Sequence, residues 1–131
     1  MTGYYDRDDA RRRLVITLQG AFQTADVLAA IERQRVEDTW SYGLLYDLRG
    51  VTGHPTIEDL KQILSQVTLV EQPRGPVAFL VTDPILYGML CKYAALGRSK
   101  LTVVEVFRDR DDADRWLFAH AIDYRSHYGN H

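Results

Sequence analysis

The spacing of apolar and polar residues changes several times along the chain, and each spacing predicts one kind of element. Residues 14–18 alternate with a period of two and stop at Gly20, which is typical of a strand. Residues 42–50 and 77–82 are apolar at most positions, as in parallel strands that are buried on both faces. Residues 101–107 predict another such strand. The N-terminal segment "GYYDRDDA" can supply a partner for the first strand, with its Asp-rich part as the turn.

Four further segments place apolar residues at helical spacing, and each follows a residue that can cap a helix. In the third, "DPILYGMLCKYAAL", Lys92 is the only charged residue after the cap, and Gly97 is predicted to end the helix. The predicted caps are Thr24 before a helix over 25–38, Thr56 with Asp59 as a capping box, Asp83 with Pro84 as the first helical residue, and Asp109 with Asp112 before the last helix.

The order of these elements predicts an α/β fold. Strands that alternate with helices form parallel crossover units, so the central sheet should be mostly parallel and have four or five strands. An N-terminal antiparallel hairpin would make the sheet mixed, and about four helices would flank it. We expect residues 1–131 to form a single domain, because no repeat or linker interrupts the pattern.

Composition narrows the functional classes. The 131 residues are 46% hydrophobic and 26% charged, and the formal net charge is -2. This balance argues against a nucleic-acid binder, which normally carries a basic excess. Asp6, Asp8 and Asp9 lie just before the basic run 11–13, so we interpret the two clusters together as a solvated hairpin and not as a phosphate-binding patch.

The sequence predicts neither a signal peptide nor a membrane span. The N-terminus "MTGYYDRDD" lacks an apolar region, and no apolar run reaches the roughly 20 residues that cross a bilayer. The single cysteine, Cys91, cannot form an internal disulfide, which favours a reducing compartment. We therefore predict a cytoplasmic protein.

Two motifs resemble those of a known family. The stretch "LLYDLRGVTG" before a capped helix is similar to the STAS domain of anti-sigma-factor antagonists. The later stretches "GPVAFLVTDPILYGMLCKYAAL" and "VFRDRDDADRWL" resemble the SpoIIAA-like (STAS/SEC14-like) family of small bacterial proteins. The similarity covers roughly residues 12–118 and implies a STAS-type fold, with some analogy to lipid-carrying SEC14 domains, but no settled reaction.

The phosphorylation switch of STAS antagonists has no clear counterpart here. The family's acceptor serine follows the "DLxGV" segment, and its position falls on Ile57, which has no hydroxyl group. Thr56 lies one residue away, and its predicted role as a helix cap explains its presence.

The residues do not predict catalytic chemistry. There is no Gly-x-Ser-x-Gly nucleophile elbow, and we interpret Cys91 as a packed, inert thiol in the middle of a helix. His127 and His131 are four residues apart near the C-terminus, but no cysteine or carboxylate has ligand spacing beside them. We therefore predict no enzyme activity, no metal site and no cofactor.

One candidate ligand site remains, at the carboxyl ends of the parallel strands, where ligands of α/β sheets usually bind. The alternative is that these are ordinary loop residues. The candidate ligand-binding residues are Arg49, Thr52, His54, Thr56, Asp83 and Tyr87.

The third helix also carries a candidate interface. A helical wheel places Ile85, Leu86, Met89, Leu90, Tyr93 and Leu96 toward the sheet. The opposite side consists of small or amphipathic residues, which suit close contact with a second subunit or an apolar ligand, although another part of the same chain is an alternative cover. The candidate interface residues are Tyr87, Gly88, Cys91, Ala94 and Ala95.

Two functional hypotheses follow. The first is a regulatory or protein-interaction module that forms a homodimer through the helix 84–97. The second is a carrier or sensor of an apolar or amphipathic small molecule, held between the second and third helices at the strand ends.

Overall fold

The computed structural model describes residues 2–70, 72, 74–98 and 103–128, with side chains described for 3–70, 72, 74–96 and 103–120. The described residues form five strands and four helices in the predicted order. The elements are β1 (Thr2–Asp8), β2 (Arg13–Ala21), α1 (Thr24–Val36), β3 (Gly43–Thr52), α2 (Ile57–Thr68), β4 (Val77–Leu80), α3 (Pro84–Arg98), β5 (Val104–Phe107) and α4 (Arg110–Tyr128).

The five strands form one mixed sheet in the order β1-β2-β3-β4-β5. β1 and β2 pair as an antiparallel hairpin in which Asp8 lies opposite Arg13, and the other neighbours pair in parallel. Each parallel crossover contains a helix, so α1, α2 and α3 connect β2 to β5 along the sheet, and α4 follows the last strand. The predicted α/β fold class is confirmed.

The sheet separates two packed layers. Helices α1, α2 and α3 cover one face, where Leu44, Tyr46 and Phe79 join their apolar side chains. Helix α4 covers the other face, where Leu45 and Leu80 pack against Ala113, Leu117 and their neighbours. Neighbouring residues of β3 and β4 therefore belong to opposite faces, as the nearly continuous apolar runs predicted.

Local hydrogen bonds start three of the helices where the sequence predicted. Thr56 and Asp59 form the capping box of α2. Oδ1 of Asp83 accepts hydrogen bonds from two backbone N–H groups of α3, and Oδ1 of Asp109 accepts from two of α4. The predicted cap Asp112 instead lies in the first turn of α4, because Asp109 already occupies the cap position.

Helix α1 differs from its prediction. It spans Thr24–Val36 instead of 25–38, and its cap residue is Gln23, which makes no side-chain capping bond. Thr24 is therefore the first helical residue and not the cap. Helix α3 also differs slightly from its prediction, because it continues one residue past Gly97 to Arg98. Differences of one or two residues are usual at helix ends, where the hydrogen bonding is incomplete.

The rotation of α3 is the main correction to the sequence analysis. Leu86, Leu90 and Tyr93 face the core as predicted, but Ala94 also faces it and is only 3% exposed. The prediction that Ala94 faces outward is wrong. A helix that is apolar over most of its circumference does not determine its own rotation, so packing against the sheet decides which residues are buried.

The outward-facing side of α3 is correspondingly different. Ile85 is 61% exposed and Leu96 is 51% exposed, although both were predicted to face the sheet. Cys91 is exposed, so the prediction of a packed thiol is also wrong. We call this side the outer face of α3; it comprises Ile85, Gly88, Cys91, Lys92, Ala95 and Leu96.

None of the helices in the described part of the chain has the length and apolar character needed to cross a membrane.

Candidate functional site

The carboxyl ends of β3 and β4 bring His54 and Asp83 together. These residues lie in the loops that lead into α2 and α3, and Nε2 of His54 is 3.2 Å from Oδ2 of Asp83. Oδ1 of Asp83 accepts hydrogen bonds from the backbone N–H groups of Ile85 and Leu86. The N–H group of Leu86, followed by the His54 side chain, holds the pKa of Asp83 below its usual value. Both oxygens of this carboxylate are thus engaged within the chain.

Arg49 does not join this pair. Its Nε atom lies 3.0 Å from Oδ1 of Asp47, and its Nη2 atom lies 2.9 Å from Oδ2. This two-point contact lowers the pKa of Asp47. Asp47 and Arg49 alternate along β3 with Tyr46 and Leu48, which pack under α1–α3, so they lie on the α4 side of the sheet.

The other predicted ligand-binding residues also have partners or lie apart. Thr56 Oγ1 accepts a hydrogen bond from the Asp59 N–H group in the capping box of α2. The ring of Tyr87 is covered by the guanidinium of Arg108, whose Cζ atom is 4.2 Å from the ring centroid. The side chain of Thr52 is exposed at the end of β3. The structure therefore brings His54 and Asp83 together but does not assemble the six residues into one site.

Arginines of the basic run 11–13 form hydrogen bonds and ion pairs with residues of the hairpin and its neighbours. Arg12 donates a hydrogen bond to Oγ of Ser41 at 2.7 Å and lies over the ring of Tyr42. Nε of Arg11 lies 3.8 Å from a carboxylate oxygen of Asp8. Within the described ranges, the His, Cys, Asp and Glu side chains form no group of three or more that could hold a metal ion. His127 and His131 lie outside the residues whose side chains are described.

A cavity of about 40 Å³ lies between the sheet and the helices α1, α2 and α3. Its walls are almost entirely aliphatic and aromatic, with Ile63 of α2 and Leu90 of α3 among them. Of the described residues that line it, none belongs to the six ligand-binding residues predicted from the sequence. At roughly 10–15 Å³ per water position, the cavity has room for about three water molecules.

Arg74 is the single charged residue among the described residues that line this cavity. It lies three residues before β4 and is only 9% exposed. Its Cζ atom is 4.6 Å from the centroid of the Trp40 ring, so the guanidinium stacks on an aromatic face. Its Nε atom has no hydrogen-bond partner among the described residues. A buried, unsatisfied donor of this kind is rare in folded proteins.

The backbone next to Arg74 is held in place by close packing. The N–H group of Gly75 donates a hydrogen bond to the carbonyl of Trp40. A Cβ atom at Gly75 would overlap the carbonyl oxygens of Ser41 and Tyr42. Glycine is therefore required here by the close approach of two backbone segments, and this approach positions Arg74 against Trp40.

Two tyrosines line the same cavity. The hydroxyl group of Tyr46 is buried and has no hydrogen-bond partner among the described residues. Burial raises the pKa of Tyr46 to about 12 and also raises that of Tyr93. Both phenols therefore stay protonated at neutral pH, and the nearby Arg74 guanidinium partly opposes the rise of each pKa. Because a guanidinium only donates hydrogen bonds, the O–H group of Tyr46 still lacks an acceptor among the described residues.

The sequence analysis did not predict that Arg74 is buried against Trp40 beside the cavity. Arg74 lies in the segment "QPRGP", which predicts a break between a helix and a strand. Nothing local distinguishes it from a solvated loop arginine, because its burial depends on Trp40, which is distant in sequence. Tyr46 and Tyr93 appear in apolar runs that predict core positions, and both are buried.

Compared by sequence alone, the chain matches no protein-family model and no curated protein. Its fold is nevertheless similar to solved structures. An anti-sigma factor antagonist from Mycobacterium paratuberculosis is 15% identical, with a TM-score of 0.58 over 88% of this chain and 92% of that chain. A protein of the DUF3478 family from Shewanella loihica, described as having a SpoIIAA-like fold, is 16% identical, with a TM-score of 0.56 over 88% and 92%.

A third structure gives the same result. The anti-sigma factor antagonist SpoIIAA in its unphosphorylated form is 12% identical, with a TM-score of 0.52 over 88% of this chain and 97% of that chain. The similarity extends over most of each molecule and includes the mixed five-stranded sheet and its helices. The chain has a SpoIIAA-like STAS fold.

Proposed function

We propose that this protein is a non-enzymatic regulatory module that acts by binding another protein chain. The fold that it shares with two anti-sigma factor antagonists supports this proposal. A second support is that polar side chains at the strand ends pair with one another within the chain. His54 and Asp83 contact each other, and Arg49 contacts Asp47, so these groups stabilise the loops and strand ends of the chain.

The observation that carries the proposal is the outer face of α3. Ile85 and Leu96 are large, apolar and more than half exposed, and Lys92 is the only charged residue of this face. Gly88 lies near its centre, where an added Cβ would meet no atom within 4 Å. A small-residue centre allows a second helix backbone to approach closely, while the apolar ends provide buried area. These features suit a contact surface.

We propose a second copy of the chain as the partner on this face. A symmetric dimer is the commonest arrangement for such a surface, and antiparallel pairing would place Ile85 of one copy near Leu96 of the other. Of the interface residues predicted from the sequence, Gly88, Cys91 and Ala95 belong to this proposed contact. Tyr87 lies at its margin under Arg108, and Ala94 is buried inside the chain.

Sedimentation velocity tests the proposed dimer. The wild-type protein should sediment as a dimer, and Ala95→Glu should sediment as a monomer because a charge would be buried at the contact. Phe118→Glu is the matched control, because Phe118 is 64% exposed on α4, on the opposite layer. It should remain dimeric. A monomeric wild type, or a dimer that tolerates Ala95→Glu, contradicts self-association through this face.

The cavity beside Arg74 favours a second candidate function, the carrying or sensing of a small apolar or amphipathic molecule. The cavity lies between α2 and α3, and its polar groups include donors without partners among the described residues. Native mass spectrometry of the freshly purified protein tests this function. A mass that falls after extraction with organic solvent supports it, whereas no bound mass and no binding of any added small molecule contradict it.

A further inference from the structure

We infer that the cavity between the sheet and α1–α3 binds a short apolar monocarboxylate, whose carboxylate group accepts hydrogen bonds from Arg74 and Tyr46. This inference rests on the second candidate function and names the class of its ligand. The three observations that carry it are the unsatisfied donors, the composition of the cavity wall and the size of the cavity.

The donors define the head group of the ligand. The Nε–H group of Arg74 and the O–H group of Tyr46 are buried without partners among the described residues, and a guanidinium offers only donors. No ion pair between Arg74 and a described carboxylate is present in the structure. A buried charge without a counter-charge is costly, so a ligand that brings an oxyanion relieves both deficits at once.

The wall of the cavity defines the rest of the ligand. Its described residues other than Arg74 are aliphatic, aromatic or proline, with Leu18, Ile63, Leu86 and Leu90 around the space. A phosphate monoester carries a charge of about -1.5 to -2, which a single guanidinium would leave partly unbalanced in this apolar setting. A carboxylate carries one negative charge and leaves the hydrocarbon part to contact the aliphatic residues.

The size of the cavity limits the length of the ligand. The cavity admits about three water molecules, which together fill roughly 90 Å³ as liquid. That space corresponds to a carboxylate group with a few attached carbons. Butanoate is therefore a suitable probe, and butanamide is its uncharged equivalent of nearly the same shape.

Isothermal titration of the whole chain with the two probes tests the inference. Butanoate should bind saturably, and butanamide should bind at least about tenfold more weakly because it cannot neutralise Arg74. Equal affinity for butanoate and butanamide overturns the carboxylate assignment while leaving the carrier function in place. If neither these probes nor any other small molecule binds, both proposals fail.

Two variants locate the binding site. Tyr46→Phe removes one hydrogen bond to the charged ligand and should weaken butanoate binding about tenfold to a hundredfold. Arg74→Met should abolish it, and if this variant does not fold, Tyr46→Phe decides the question alone. Unchanged affinity in Tyr46→Phe overturns the proposed site.

The matched controls use the same residue types outside the cavity. Arg108 also stacks on a tyrosine ring, and the hydroxyl of Tyr42 bonds to Asp9 at 2.6 Å. Arg108→Met and Tyr42→Phe should bind butanoate as the wild type does. If either control loses binding as strongly as Tyr46→Phe, butanoate does not bind beside Arg74.

Discussion

Polar side chains at the two ends of the parallel sheet differ in burial and in whether their hydrogen bonds are satisfied within the chain. At the carboxyl end, His54 and Asp83 are partly exposed, contact each other and stabilise the start of α3. Before the amino end of β4, Arg74 is nine-tenths buried, and its Nε–H group lacks a partner among the described residues. Ligands of α/β sheets usually bind at the carboxyl end, yet here the donors without partners lie near the other end.

This difference separates polar groups that support the fold from those that are available for binding. A side chain whose hydrogen bonds are all made within the chain gains little from a ligand. A buried donor without a partner carries a cost in the free protein, and a suitable acceptor removes that cost. Whether a polar group already has a hydrogen-bond partner therefore indicates a binding site better than whether it lies at the carboxyl or the amino end of the strands.

The largest expected effect comes from widening the backbone contact beside Arg74. Gly75→Ala should lower the free energy of unfolding by about 3 kcal/mol, because the added Cβ overlaps the carbonyl oxygens of Ser41 and Tyr42 and neither can move freely. Urea unfolding followed by circular dichroism measures the change.

Gly88→Ala is the control for this prediction. Gly88 lies within α3, and an added Cβ meets no atom within 4 Å. The same substitution should there raise the free energy of unfolding of the monomer by about 0.5–1 kcal/mol, since alanine is the better helix former. Similar losses in both variants would contradict the close backbone approach at Gly75.

Removing the unsatisfied hydroxyl near the amino end should have the next largest effect. Tyr46→Phe should raise the free energy of unfolding of the ligand-free protein by about 1–2 kcal/mol, because it removes a buried donor without a partner. Tyr42→Phe should lower it, since the hydroxyl of Tyr42 donates a hydrogen bond to Asp9. Thermal unfolding compares both variants with the wild type. A destabilised Tyr46→Phe would mean that its hydroxyl is already satisfied.

Breaking the capping box at the carboxyl end should cost less than the change at Gly75. Thr56→Ala should lower the free energy of unfolding by about 1 kcal/mol, because the N–H group of Asp59 loses its acceptor. Thr56→Ser keeps the hydroxyl and should retain most of the stability. Equal losses in the two variants, measured by urea unfolding, would show that the methyl group of Thr56 matters and the cap does not.

The smallest expected effect is the pH dependence of the contribution that Asp83 makes to folding stability. The folded state lowers the pKa of Asp83 below its ordinary value, so its contribution to stability is complete above the ordinary value and is lost as the pH falls through the lower folded value. The stability difference between the wild type and Asp83→Asn should therefore stay constant from neutral pH to about pH 5 and shrink as the pH falls further. A difference that stays constant down to the most acidic pH at which both proteins fold would show that the charge of Asp83 contributes nothing.

The sequence by itself determined the element order, the mixed sheet and three of the helix starts. These features depend on neighbours within a few residues: the apolar runs of β3 and β4, the capping box at Thr56 and the cap at Asp83. Local periodicity and local hydrogen bonds are readable from the chain because the interacting residues are close in sequence.

Only the tertiary structure decided which side of α3 is buried and which polar residues meet. Ala94 faces the core because packing sets the rotation of a helix that is apolar nearly all round. Arg74 is buried because Trp40, more than thirty residues away, lies against it, and His54 reaches Asp83 across two loops. Such contacts depend on the folded path of the backbone, and residue types and spacings do not specify that path at the precision of a hydrogen bond.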